Sequence, residues 1–127
     1  MNNKTYTVLS IEDNKSDFEL LESALNNIPD LSLKIINITN GEDGLDFIYK
    51  KNNYKTVPTP DIIILDINLP LMSGKEILQT LKKDDKYKEI PIIIFSTSEN
   101  YEDIKDSYNL YANSYVTKTF DINCSFS

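Results

Sequence analysis

Residues 61–70 read DIIILDINLP, four aliphatic residues running straight into the carboxylate of Asp66. A run this short and this rich in isoleucine suits a strand buried on both faces, not a helix. A second run, Ile92 to Phe95 (IIIF), follows Pro91 in the same way. Two such segments demand cover on each side, and the rest of the chain supplies it. Tyr6 to Ile11 (YTVLSI), Leu33 to Ile38 (LKIINI) and Ser114 to Thr117 (SYVT) read as three further strands. Between them, Phe18, Leu21, Leu25 and Ile28 recur at near-helical spacing, with Ser16 and Glu19 as a capping box and Pro29 as the stop. Leu45, Phe47 and Ile48 mark a second helix, and Ile77, Leu78 and Leu81 share one face of a third. Asp103 to Ala112 is expected as a fourth, with Ile104, Tyr108 and Tyr111 inward, whereas Lys50 to Pro60 reads as a loop. Strand and helix signals alternate throughout, which predicts an α/β fold with a doubly wound, five-stranded parallel sheet.

Composition narrows the chemistry. All 13 basic residues are lysines, histidine and arginine are absent, and the net charge is −7. An acidic chain without arginine is poorly equipped for nucleic acid. The lack of histidine excludes Ser-His-Asp and Cys-His catalysis. Cys124 is the only cysteine, so no internal disulfide forms and a cytoplasmic location is expected. No apolar run approaches the ~18 residues of a membrane span, and no secretory signal opens the chain. The 127 residues are read as one domain, 1–127. Carboxylates, hydroxyls, lysine and an oxygen-seeking metal remain available.

Ligands of an open α/β sheet bind outside the carboxyl ends of its strands. The first strand delivers Glu12 and Asp13 there, the third Asp66 and Asn68, the fourth Ser96, Thr97 and Ser98, and the fifth Lys118. Each alone has an ordinary explanation as a solvated turn, a helix cap or a surface lysine. Their convergence on one edge is harder to explain that way. Clustered carboxylates repel unless a cation sits among them, and Mg²⁺ or Mn²⁺ takes such oxygen ligands. A hydroxyl and an ammonium opposite would receive phosphoryl oxygens, with Asp66 as the nucleophile at the centre.

These residues resemble the receiver domain of two-component response regulators. The likeness runs from about Tyr6 to Asp121 and rests on ED after the first strand, D-x-N-L-P-x-x-x-G around Asp66, the hydroxyl after the fourth strand and TK after the fifth. NLPLMSGKE, IPIIIFSTSE and YANSYVTK are most similar to single-domain bacterial regulators that partner phytochrome-type and related hybrid sensor kinases. The resemblance implies a flavodoxin-like fold and a phosphoacceptor at Asp66, fed by a sensor histidine kinase or a phosphotransfer protein. It also implies Mg²⁺ on Asp13, Asp66 and the Asn68 carbonyl, with Glu12 acting through water. Ser96 and Lys118 would contact phosphoryl oxygens, Tyr115 would be the switch aromatic that follows Ser96, and Asn68 and Ser98 would tune the lifetime of the phosphate.

Two features depart from the family. Thr119 follows Lys118 where proline is usual, so a trans bond is expected, since cis costs ~2.5–4 kcal/mol before a non-proline residue. TFDINCSFS is too short for a full fifth helix, so that helix is expected to be largely missing. Either the chain is cut short here, or the uncovered face is completed by another chain, with a homodimer through the helix-four/strand-five surface as the expected form. A phosphatase of the haloacid dehalogenase type is a rival reading, but it needs a carboxylic acid where Asn68 stands. A receiver-like interaction module that works without phosphorylation is the other. Three glycines, Gly41, Gly44 and Gly74, provide no dinucleotide-binding or P-loop motif.

Overall fold

The computed structural model describes residues 4–118. Five strands form one sheet in the order β2-β1-β3-β4-β5, every neighbouring pair parallel. They are β1 (Thr5–Ile11), β2 (Ser32–Ile38), β3 (Ile62–Leu65), β4 (Ile92–Ser96) and β5 (Ser114–Thr117). The helices are α1 (Lys15–Asn26), α2 (Gly41–Tyr49), α3 (Gly74–Lys82) and α4 (Tyr101–Asn109), with a 3-10 turn (Asn52–Tyr54) inside the expected 50–60 loop.

Alternation along the strands divides the core in two. Leu9, Ile11, Ile63, Leu65, Ile92 and Ile94 face one side and pack with Phe47 and Ile48 of α2 and Ile77, Leu78 and Leu81 of α3. Val8, Ile64 and Phe95 face the other side with Leu21 of α1, and Ile62, Ile93 and Val116 are only partly buried there. Runs of isoleucine in β3 and β4 are thus explained, because both faces of each strand meet apolar side chains.

Local polar contacts tie down the amino ends of the strands. Asp61 lies in the loop before β3, where its N–H donates to the Thr7 carbonyl (2.8 Å) and its carboxylate accepts the Thr7 N–H (2.8 Å). Asn113 does the same for β4 and β5: its side-chain oxygen accepts from Ile92 N–H and from Lys82 Nζ, both at 2.9 Å. The carboxyl ends are left for chemistry, and the strand order reverses between β1 and β3 at that edge.

Three expectations about helices change. The cap of α1 is Asn14, whose side chain accepts the Asp17 N–H at 3.0 Å. Ser16 therefore lies inside the helix, and Glu19 faces solvent beside Lys15. The helix ends at Asn26, before Ile28 and Pro29, and Ile28 is exposed. Helix α4 begins at Tyr101 because Asn100 caps it. Its inward face carries Asp103, Ile104 and Ser107, so Tyr108 is exposed, and the helix ends at Asn109, leaving Tyr111 exposed beyond it at φ 71°. The Lys118–Thr119 peptide, Cys124 and the short fifth helix lie outside the described residues.

Candidate functional site

The acidic edge is built by backbone geometry first. Gly74, the first residue of α3, donates its N–H to the Ile67 carbonyl at 2.9 Å. A Cβ placed on it would collide with the Asp66 carbonyl oxygen and lie 2.7 Å from Ile67 Cα. The spacing D-x-N-L-P-x-x-x-G therefore reflects a close approach of helix to strand end, which only glycine permits.

Asp66 follows the last residue of β3 and is 6% exposed. One of its carboxylate oxygens accepts the Asn68 N–H at 3.1 Å, and the other accepts from Lys118 Nζ at 3.0 Å. Glu12 is buried, with an oxygen 2.6 Å from the same ammonium, while Asp13 is exposed. Oxygens of Glu12, Asp13 and Asp66 lie within 4.8 Å of one another. Hard carboxylate donors at this separation fit Mg²⁺ or Mn²⁺.

Electrostatics hold the cluster together. Burial pushes the Lys118 ammonium toward losing its proton, but hydrogen bonds to Glu12, Asp17 and Asp66 prevail and raise its pKa above the ordinary lysine value. For Glu12 burial is the leading influence and raises its pKa, against the pull of Lys118 and the Asn14 N–H. Lys118 is also fixed through its backbone, whose N–H donates to the Ser96 carbonyl at 2.6 Å. Its Nζ lies 5.5 Å from the centre of the Phe95 ring.

Asp17 was not foreseen from the sequence. It is 9% exposed and accepts from Lys118 Nζ at 2.9 Å, across 101 positions of chain. The available signal was its position one helical turn after Asp13, on the side of α1 that meets the sheet edge. A first-turn acid is more simply read as a partner of the helix dipole.

Of the expected site residues, Glu12, Asp13, Asp66 and Lys118 converge directly. Ser96 is fully buried at the end of β4, its hydroxyl accepting the Ser98 N–H at 3.3 Å. Ser98 and Tyr115 belong to an adjoining network. The Ser98 hydroxyl donates to Asp103 (2.6 Å), and the Tyr115 hydroxyl donates to the Ser98 carbonyl (2.8 Å). Asp103 in turn pairs with Lys75 of α3 at 2.7 Å. Asn68 is exposed next to the acidic cluster.

Residues 8–124 match the family described as the response regulator receiver domain. The chain is 32% identical to the response regulator Rcp1 of Synechocystis, over 92% of this chain and 79% of that protein. It superposes on the phosphorylated cyanobacterial phytochrome response regulator RcpA with a TM-score of 0.88, at 33% identity over 94% of this chain and 85% of that one. The Mn²⁺-bound form of Rcp1 gives 0.87 at 31% identity, over 93% and 84%. Among the described residues, no helix is long and apolar enough to cross a membrane.

Proposed function

Because the chain belongs to the response regulator receiver family, we propose that Asp66 is its phosphoacceptor and that the phosphorylated edge signals by protein–protein contact. The observation that carries this reading is the burial of Asp66 between the Lys118 ammonium and the carboxylates of Glu12 and Asp13. A carboxylate oxygen of Asp66 attacks phosphorus of a kinase or phosphotransfer phosphohistidine. The new O–P bond forms as the P–N bond breaks, and the imidazole nitrogen leaves with the electron pair. A divalent ion on Glu12, Asp13, Asp66 and the Asn68 carbonyl, Mg²⁺ or Mn²⁺, would neutralise charge on the phosphoryl oxygens.

Lys118, whose Nζ lies 3.0 Å from Asp66, and Ser96, buried at the end of the neighbouring β4, would be the donors for those oxygens. Phosphorylation adds roughly −1.5 to −2 charges. Drawing Ser96 toward the phosphoryl group would disturb Ser98 and the Tyr115 hydroxyl bonded to it, a coupled path to α4 and β5. Asn68 and Ser98 flank the site where they would govern hydrolysis of the acyl phosphate. In this reading the chain is cytoplasmic, and its partner kinase is of the phytochrome type by likeness to the regulators above. The downstream protein, or a second copy of the chain, would meet the α4–β5 face, where Tyr101, Tyr108 and Tyr111 are exposed. Sedimentation with and without beryllofluoride tests the second copy, and a monomer under both conditions would remove it.

Incubation with Mg²⁺ and acetyl phosphate, read by intact mass, tests the phosphoacceptor. One phosphoryl group should appear on the wild-type chain and none on Asp66→Asn. Equal labelling of both proteins would overturn the assignment. The chain is read as a signalling protein without turnover, so steady hydrolysis of a phosphate ester in the absence of a kinase would also contradict it.

A further inference from the structure

We propose that Asp17 is a positioning residue for Lys118, holding its ammonium at the sheet edge while a divalent cation occupies Glu12, Asp13 and Asp66. This rests on the phosphoacceptor reading above and adds a residue to it. A lysine ammonium has three N–H donors, and the structure gives each a carboxylate: Glu12 at 2.6 Å, Asp17 at 2.9 Å and Asp66 at 3.0 Å. Two of those carboxylates belong to the trio that can hold a metal, whereas Asp17 does not. A cation bound to the trio therefore competes with Lys118 for two of its three partners and repels its charge. The lysine side chain is only 5% exposed, so it has little water to fall back on. Asp17 is the acceptor that remains.

The local structure keeps that acceptor in place. The Asp17 N–H is bonded to the Asn14 side chain, which fixes the first turn of α1, and the Asp17 side chain is 12% exposed. Glu19, on the same helix, has a side chain that is 60% exposed. An acid serving only the helix N-terminus would have no reason to turn inward onto an ammonium from the end of β5. The contact joins α1 to the strand end that carries Lys118, so the ammonium can be shared with the phosphoryl oxygens and still be anchored.

The test is a double-mutant cycle on the whole chain: wild type, Asp17→Asn, Lys118→Met and the double variant. Two readouts are taken, Mg²⁺ affinity by calorimetry and the rate of acetyl phosphate labelling. Asp17→Asn should weaken Mg²⁺ binding and slow labelling, each about tenfold, and the metal effect should fall below about twofold once Lys118 is methionine. An equal loss of affinity in both backgrounds, or no loss in either, overturns the proposal, because the effect would then not pass through Lys118. A crystal structure of the unmutated chain with Mg²⁺ and beryllofluoride guards against variants that fail to fold. Lys118 Nζ should lie about 3 Å from Asp17, and an ammonium that has left Asp17 overturns the proposal. If the wild type itself takes no phosphoryl group, the phosphoacceptor reading fails, and this proposal with it. Labelling without coupling removes the role of Asp17 alone.

Discussion

At Gly74 the obstacle to a larger residue is backbone, the Asp66 carbonyl and Ile67 Cα, and backbone cannot rotate aside. Gly41 differs, since an added methyl there would press at 2.6 Å on the mobile end of the Ile77 side chain. Gly74→Ala should therefore cost about 1–3 kcal/mol in urea unfolding. It should also slow labelling of Asp66, because the displaced atoms belong to that residue's own peptide. Lys118→Ala removes the cation facing Glu12, Asp17 and Asp66. Leaving those acids buried without it should destabilise the chain by about 3–5 kcal/mol, measured the same way in metal-free buffer. Restored stability on adding Mg²⁺ would show that charge, rather than lost packing, is the cause.

Elements meet around the acidic edge through a smaller ionic network. Lys75 of α3 reaches Asp103 and Asp106 of α4, at 2.7 and 3.0 Å, and Asp103 receives the Ser98 hydroxyl from the loop between β4 and α4. The hydrogen bond from Lys75, and after it that from Ser98, holds the Asp103 pKa below the ordinary carboxylate value. Its folded pKa being depressed, the stabilisation is complete above the unfolded value of ~3.9 and is lost as pH falls through the lower folded value. Lys75 is raised by its hydrogen bonds to Asp103 and then Asp106, so its share persists up to ~10.4 and is lost as pH rises through the higher folded value. Lys75→Met should cost ~0.5–1 kcal/mol at pH 7, since these side chains remain partly exposed. The difference from wild type should shrink toward zero in urea titrations taken below the depressed folded pKa of Asp103. The orientation of α4 was not legible from spacing. The spacing Ile104, Tyr108, Tyr111 put both tyrosines inward, whereas the face turned to the sheet runs through Asp103, Ile104 and Ser107, and the helix ends at Asn109 before Tyr111.

For the molecule as a whole, the proposed metal site would link ion binding to folding, because the carboxylates that follow β1 and β3 meet only when the sheet is formed. Mg²⁺ at about one hundred times its dissociation constant should add ~2.7 kcal/mol, seen as a higher unfolding temperature than in chelator. Asp13→Asn, at an exposed position, should shrink that gain. The sheet and the clustering of Glu12, Asp13 and Asp66 were legible because each rests on short-range pattern: apolar runs ending in a carboxylate, and topology that sends those ends to one edge. Asp17 was not, since its contact with Lys118 spans most of the chain and its own neighbourhood reads as an ordinary helix start. The buried ammonium also bears on chemical labelling. Amine-acylating reagents attack only the unprotonated form, and Lys118 is both enclosed and pushed toward remaining protonated. It should be the last of the 13 lysines to acylate, well after exposed ones such as Lys15, and peptide mapping would read its protection directly.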